Sequence, residues 1–449
     1  MKLDDALRKV AVIGAAGKMG SGISLLLLQE IARTEAEKTG EAGSGEYTLT
    51  LIDANEQALF SLRRYLRAQL TKYAEKNINS LREYYAANHD LISNEEILRA
   101  FVDGALDCTR FETELTSAKD SIFVFEAILE DVASKITTFS NLKAMSRKDQ
   151  YYLTNTSSIP ISLLNETCHL DNRIIGYHFY NPPAIQKVLE VVETANVEPQ
   201  LHAMAIELAK RLHKVVVRSH DIPGFIGNGL LIPEIIFACN QARALAKEHS
   251  LPLSQAITLI NQVTQEYLLR PMGVFQLMDY VGIDVCQNIA KIMSIYLPDA
   301  TLKDELIDAL LAAGIKGGQH GDGSQKDGVF QYKQQSISGV YDLKEKKYLT
   351  LFPGAQSILG ELPQKPLTWK DLQNDSDKIN KIKKYFDLIF QQNTLGAALA
   401  KASLKHSRQI ARNLIEAGVA DRLEDVDTVL KNGFFHVYGV ADLRLPAIE

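Results

Sequence analysis

The chain has 449 residues, 46% hydrophobic and 23% charged, with a formal net charge of −6. That length allows two or three domains with a full buried core, in a composition ordinary for a globular protein. The acidic balance argues against a nucleic-acid or anionic-membrane partner, and no apolar run reaches membrane-spanning length.

The charged amino-terminal stretch MKLDDALRK lacks the apolar core of a signal peptide. Cys108, Cys168, Cys239 and Cys286 lie far apart, with no CxxC or Cys/His ligand spacing. They read as reduced structural thiols of a cytoplasmic protein, without disulfides or a metal. Lys9 to Gly22 read KVAVIGAAGKMGSG. A short β-branched strand, Val10 to Ile13, leads into Gly14, Gly17, Gly20 and Gly22, then into an apolar helical stretch, Ile23 to Ile31. Strand, glycine turn and helix in that order open a dinucleotide-binding βαβ unit, where glycine lets the pyrophosphate approach backbone N–H groups. Gly14, Gly17, Met19 and Gly20 are the candidate cofactor residues of this turn. The next strand, YTLTLID, ends at Asp53. A carboxylate there suits the adenosine ribose hydroxyls and would repel a 2′-phosphate, which favours NAD over NADP.

Two departures from the dinucleotide fingerprint stand out. The spacing is GxxGxxG, and the acid lies well beyond the usual ~20 residues. Thr34 to Glu46, TEAEKTGEAGSGE, is polar and glycine-rich and reads as an inserted surface loop. Glu56 to Lys76 is a helical region with Arg63, Arg64, Arg67, Lys72 and Lys76. These offer cations to a phosphate-bearing substrate, or simply form a solvated helix face. In IFVFEAILED, Ile122 to Asp131, an apolar strand ends at Glu126. Carboxyl ends of parallel strands face the ligand crevice, so Glu126 is a candidate for the nicotinamide ribose. A carboxylate at a helix start is the alternative, and it fits Glu130 and Asp131 better.

The stretch GYHFYNPPAIQKVLEVVE, Gly176 to Glu193, carries His178 on one apolar strand-like run and Glu190 on a second. An NPP turn between them predicts two strands folded back on each other. Imidazole and carboxylate would then meet, as a general base near neutral pH requires.

YLTNTSSIPIS, RIIGYHFYNPP with KVLEVVE, and DIPGFIGNGLL follow the nucleotide unit in that order. The combination resembles the L-3-hydroxyacyl-CoA dehydrogenase family from Val10 to about Tyr332. The resemblance implies an α/β Rossmann-type NAD-binding domain followed by an all-α C-terminal domain. It also implies reversible oxidation of 3-hydroxyacyl-CoA to 3-ketoacyl-CoA, with hydride passing to NAD. His178 matches the family's general base and Glu190 the carboxylate that orients it. Asn181 of YNPP matches an asparagine near nicotinamide and substrate. Ser157 of NTSS and Asn228 of PGFIGN match residues that face the reacting oxygen. The chemistry needs these types: an imidazole to take the hydroxyl proton, an anion to stabilise the imidazolium, and neutral donors for the developing carbonyl oxygen.

From Pro223 strand signals vanish, and GFIGNGLLIPEIIFACNQARALAKEH and LPLSQAITLINQVTQEYLL show helical patterns. RPMGVFQLMDYVGID and GSQKDGVFQYK resemble the closing segments of the family's helical domain, near which a single-function member would end. Here a polar, proline-containing connector follows. Then ALAKASLKHSRQIARNLIEAGVADRLEDVDTVLKNGFFHVYGVADL echoes the first helical unit. The expected domains are 1–217 for NAD binding, 218–335 for the first helical unit, 336–392 for the connector and 393–449 for a shorter helical repeat. The second copy has no counterpart of Asn228, so a second active site is not expected. It could cover internally the surface through which short members dimerise, so a monomer or a different homodimer is expected. No crotonase-type segment precedes Val10, so hydratase activity is not expected. A dehydrogenase for a free hydroxy acid, gulonate- or carnitine-type, is the nearest rival, favoured by NPP in place of NPV. A catalytically silent NAD-binding protein is the third reading, and the full set of site residues argues against it.

Overall fold

The computed structural model describes residues 1–146, 149–297, 301–320, 323–334, 336–362 and 367–442. The chain divides into two compact units, Met1–Asp221 and Ile222–Glu449. The first is built on eight strands: β1 Lys9–Ile13, β2 Thr48–Ile52, β3 Thr109–Glu112, β4 Phe123–Glu126, β5 Tyr151–Thr154, β6 Ile174–Phe179, β7 Val188–Glu193 and β8 Val215–His220. Their order is β3-β2-β1-β4-β5-β6-β7-β8. Every residue of β4, β5, β6 and β7 is buried. Such continuous apolar strands fit a sheet covered by helices on both faces. The strand order reverses at β1 and β4, and the crevice beyond the carboxyl ends of these strands is where a doubly wound sheet takes its ligand.

All neighbouring strands are parallel except β6 and β7. The connection from Tyr180 to Lys187 is too short for a crossover helix, so the chain must fold straight back. That reversal places His178 directly across from Glu190.

The expected surface loop at Thr34 to Glu46 is only partly a loop. The nucleotide-side helix runs Lys18–Thr39 and stops at Gly40, which adopts φ 81. Burial and pairing carry the helix onward. Glu30 is bridged by Arg33 at 2.9 Å and by Arg211 at 2.5 Å. Glu35 is fully buried and accepts the Gly43 N–H at 2.6 Å. In the basic helix Glu56–Lys76, Arg67 pairs with Asp103 at 2.7 Å and Arg63 lies over the Phe111 ring.

The second unit is mainly helical, with helices Phe225–Glu248, Leu253–Gln262, Val274–Val281 and Ile283–Tyr296. It also holds a three-stranded antiparallel sheet of β9 Phe330–Lys333, β10 Ser336–Asp342 and β11 Lys347–Thr350, which corrects the reading that strands end at Pro223. Residues 336–392 are not a tether. Val340, Leu359, Leu372, Ile382, Phe386 and Ile389 join the hydrophobic cluster that contains Ile235 and Cys239 of the first long helix. Residues 363–366 of this segment lie outside the described residues.

The two stretches that the sequence pairs share local features. A long helix, Leu395–Glu416, precedes a short one, Leu423–Asn432. In the first copy Asp279 accepts the N–H groups of Val329 at 2.6 Å and Phe330 at 2.9 Å. In the second, Asp427 accepts those of Val440 at 2.6 Å and Ala441 at 3.1 Å. A Cβ at Gly328 or Gly439 would lie 2.2 or 2.0 Å from the respective carboxyl group, so each copy closes by seating a glycine-valine segment on a buried aspartate. The last repeat residues, 443–449, lie outside the described residues.

Candidate active site

At the end of β1 the chain turns at Gly14, whose φ is 74. A Cβ there would lie 2.6 Å from the Ala127 carbonyl oxygen, so the turn passes tightly over the end of β4. At Gly20 a Cβ would lie 1.9 Å from the Gly14 oxygen, which lets the helix start close against the turn. Gly17 is exposed and precedes the helix, while Met19 is half-buried in its first turn. The opening N–H groups of a helix lack intrahelical acceptors and favour an anion. The residues therefore fit a pyrophosphate, despite the GxxGxxG spacing. Asp53 follows β2 directly and is half-buried. Its carboxylate accepts the N–H of Ala16 at 3.1 Å and of Asn55 at 3.0 Å. The acid thus pins the glycine turn from the end of β2.

On β6 and β7, Nδ1 of His178 lies 3.3 Å from Oε1 of Glu190. His178 is 8% exposed and Glu190 is fully buried. Sequence reasoning missed a third member: the Tyr180 hydroxyl donates to the same carboxylate oxygen at 2.5 Å. Burial first, and the Glu190 anion second, push the Tyr180 hydroxyl well above its ordinary pKa, so it stays a donor. Its signal was the two-residue spacing from His178, which puts both side chains on one face of an extended chain.

The NTSS loop after β5 is tied down at both ends. Asn155 Oδ1 accepts the Phe179 N–H at 2.9 Å, next to His178. Glu130 Oε1 accepts from Thr156 Oγ1 at 2.7 Å, the Ser157 N–H at 2.8 Å and the Ser158 N–H at 2.9 Å. The Ser157 hydroxyl lies 3.3 Å from the same oxygen. Asp221, just beyond β8, caps the following helix, Ile161–Thr167, by accepting the N–H groups of Ile161 at 2.6 Å and Ser162 at 2.7 Å.

Glu126 departs from the expected ribose contact. It is fully buried, and Oε1 accepts from Lys135 at 2.6 Å and the Ile128 N–H at 2.8 Å. Its Oε2 accepts from Thr154 at 2.6 Å. A carboxylate so enclosed and neutralised holds the fold rather than a ligand. Nor is Glu130 a helix cap; Asp131 does that by accepting the Ser134 N–H at 2.8 Å. Burial would raise Glu130, but Lys135 and the hydroxyl and N–H donors outweigh it and hold the carboxyl below its ordinary pKa. The side chain of Glu130 is 21% exposed, whereas that of Glu126 is fully buried.

Asn181 is half-buried in the turn after β6, where its carbonyl accepts from Gln186 Nε2 at 3.5 Å. Asn228 lies in the second unit, in the first turn of helix Phe225–Glu248, and is 8% exposed. Among the described residues no cluster of three or more His, Cys, Asp or Glu could hold a metal ion, and no helix is long and apolar enough to cross a membrane.

Residues 9–222 match the family of the 3-hydroxyacyl-CoA dehydrogenase NAD-binding domain, and residues 224–327 match that of its C-terminal domain. A probable 3-hydroxybutyryl-CoA dehydrogenase of Bacillus subtilis is 26% identical over 75% of this chain and 98% of its own length. The mitochondrial hydroxyacyl-coenzyme A dehydrogenase of Sus scrofa is 29% identical over 63% of this chain and 79% of its own. The crystal structure of an Escherichia coli 3-hydroxybutyryl-CoA dehydrogenase superposes with a TM-score of 0.63 at 20% identity, covering 97% of this chain and 90% of that one. The last comparison shows likeness of fold over nearly the whole chain.

Proposed function

The chain belongs to the 3-hydroxyacyl-CoA dehydrogenase family, and we propose that it interconverts 3-hydroxyacyl-CoA and 3-ketoacyl-CoA with His178 as the base. The observation that carries this reading is the buried Glu190 against Nδ1 of His178 at 3.3 Å. A proton shared with Glu190 on Nδ1 leaves Nε2 to accept the proton of the substrate hydroxyl. Glu190 then stabilises the imidazolium, and Tyr180 keeps the carboxylate aimed. Ser157 and Asn181 supply neutral donors for the substrate oxygen as it becomes a carbonyl, the role that the family resemblance implies for Asn228 also. Gly14, Gly17, Met19, Gly20 and Asp53 hold the dinucleotide. NAD, when bound, supplies the hydride acceptor.

The test is oxidation of NADH with acetoacetyl-CoA, followed by absorbance. Turnover is expected, and His178→Ala is expected to lower it by ~10²- to 10⁴-fold, the usual worth of a general base. Turnover that survives His178→Ala would sink the base assignment. Activity with free hydroxy or keto acids alone would favour the gulonate- or carnitine-type rival.

Two further readings accompany this one. The four buried free cysteines support a reducing compartment, which we take to be the cytoplasm. Packing of helix Leu395–Glu416 on helix Phe225–Glu248 supports internal cover of the face through which short members pair. Sedimentation is expected to show a monomer, or a homodimer not held through the first helical copy.

A further inference from the structure

We propose that Lys214 is a positioning residue for the dehydrogenase reaction: its ammonium grips the β6–β7 turn and fixes Asn181 and Tyr180 relative to His178. The inference rests on the dehydrogenase reading of His178. Lys214 immediately precedes β8. Its Nζ donates to the carbonyl oxygen of Pro183 at 2.6 Å and of Gln186 at 2.8 Å. It also sits 5.8 Å from the centroid of Phe179, the neighbour of His178. The backbone adds a second tie, since the Val215 N–H donates to Lys187 at 2.8 Å. One cation thus bonds two carbonyls of the turn, one in its middle and one near its end.

The opposite side of the turn is held by shape. Pro183 is buried, and a Cβ built on Gly22 would lie 2.8 Å from its Cδ. The proline ring fills the space that glycine leaves on the nucleotide-side helix. Any other residue at position 22 would push the turn away. The departure from NPV to NPP therefore has a mechanical sense: the second proline is the knob that docks the turn on the helix that begins at the glycine turn. Burial lowers Lys214 to about 8, so its charge is only moderately favoured over the neutral amine at neutral pH. Charged donors to carbonyls are stronger than neutral ones, so the ammonium is the form that grips best. Nothing in this arrangement touches the reacting atoms. Its effect passes through the turn, and a misplacement of ~1 Å can cost ~100-fold in rate.

The test uses the full chain with Lys214→Met, Lys214→Arg and Gly22→Ala. Turnover is read with acetoacetyl-CoA and NADH, NADH affinity by fluorescence, and turn mobility by hydrogen exchange of peptides covering 180–187. Lys214→Met is expected to lower kcat by ~10- to 100-fold, with NADH affinity held and exchange of the turn raised. Lys214→Arg is expected to recover most of kcat, and Gly22→Ala to reproduce the loss. Unchanged exchange of the turn in Lys214→Met overturns the proposal, as does an unchanged kcat. A loss of NADH affinity equal to the loss of kcat, unrescued by arginine, overturns it as well. Raised exchange in a protein whose wild type does not turn over acetoacetyl-CoA upholds the grip and sinks the dehydrogenase reading instead.

Discussion

Two buried carboxylates of the same sheet, Glu126 on β4 and Glu190 on β7, have opposite surroundings. Both are fully buried. Glu126 meets an ammonium, Lys135 Nζ at 2.6 Å, and Lys135 also lies 3.5 Å from Glu130. Glu190 meets a phenol at 2.5 Å and an imidazole at 3.3 Å. A permanent cation cancels the first charge and makes it part of the scaffold. An imidazole changes its own charge near neutrality, so the second anion is worth most when that imidazole becomes protonated. The nature of the partner, more than burial, separates a carboxylate that holds a fold from one that can serve a reaction.

Substitutions should pull the two apart. Glu190→Gln keeps an acceptor for Tyr180 and His178 but removes the charge, and kcat should fall by up to ~10⁴-fold, as expected when an orienting carboxylate is neutralised. Its melting temperature and NADH affinity should stay near wild type; a lost affinity would make Glu190 structural. Lys135→Met leaves Glu126 buried without its cation and should cost ~3–5 kcal/mol in urea unfolding. A loss under ~1 kcal/mol would show that Glu126 is not held by charge.

The pH dependence of that difference is set by both partners. Burial would lower Lys135, but Glu126 and Glu130 outweigh it and raise its pKa, so its stabilisation persists from neutrality to beyond the ordinary lysine range and fades only as pH rises through the folded value. Glu130 has a lowered pKa, so its contribution is present above the ordinary glutamate range and is lost as pH falls through the folded value. The gap between wild type and Lys135→Met should therefore stay flat from about pH 6 to 9 and close in acid. The smallest effect belongs to Tyr180→Phe, which removes one hydrogen bond to Glu190. A loss of ~1–3 kcal/mol in transition-state stabilisation is expected in kcat/KM, with the pH profile of turnover displaced.

Much of the site was legible because its signals are local. The β1 strand, the glycine turn and the helix after it follow one another in sequence and in space. His178 and Glu190 lie twelve residues apart, and a short turn between two apolar runs can only fold them antiparallel. Tyr180 was hidden by its ordinary appearance next to an obvious histidine. Glu126 was misread because its partner, Lys135, sits one helix turn into the next element, where nothing in a strand pattern reveals it. Glu130 stands at the helix start as read, but its ties to a loop 26 to 28 residues away were not legible.

By itself the sequence determined the strand, glycine turn and helix at the start, the pairing of His178 with Glu190, and the helical character of the second half, since periodicity and turn chemistry act over a few residues. Tertiary structure decided where those elements end and which acid does what. The helix Lys18–Thr39 outruns its polar composition where Arg211, 177 residues away, bonds the Thr34 hydroxyl and the buried Glu35 accepts the Gly43 N–H. Residues 336–392 look like a linker, yet their sparse apolar positions find the core only when the chain is folded around them. Local pattern sets the elements; the cost of burying a charge or leaving apolar surface wet, known only when distant residues meet, sets their limits and their roles.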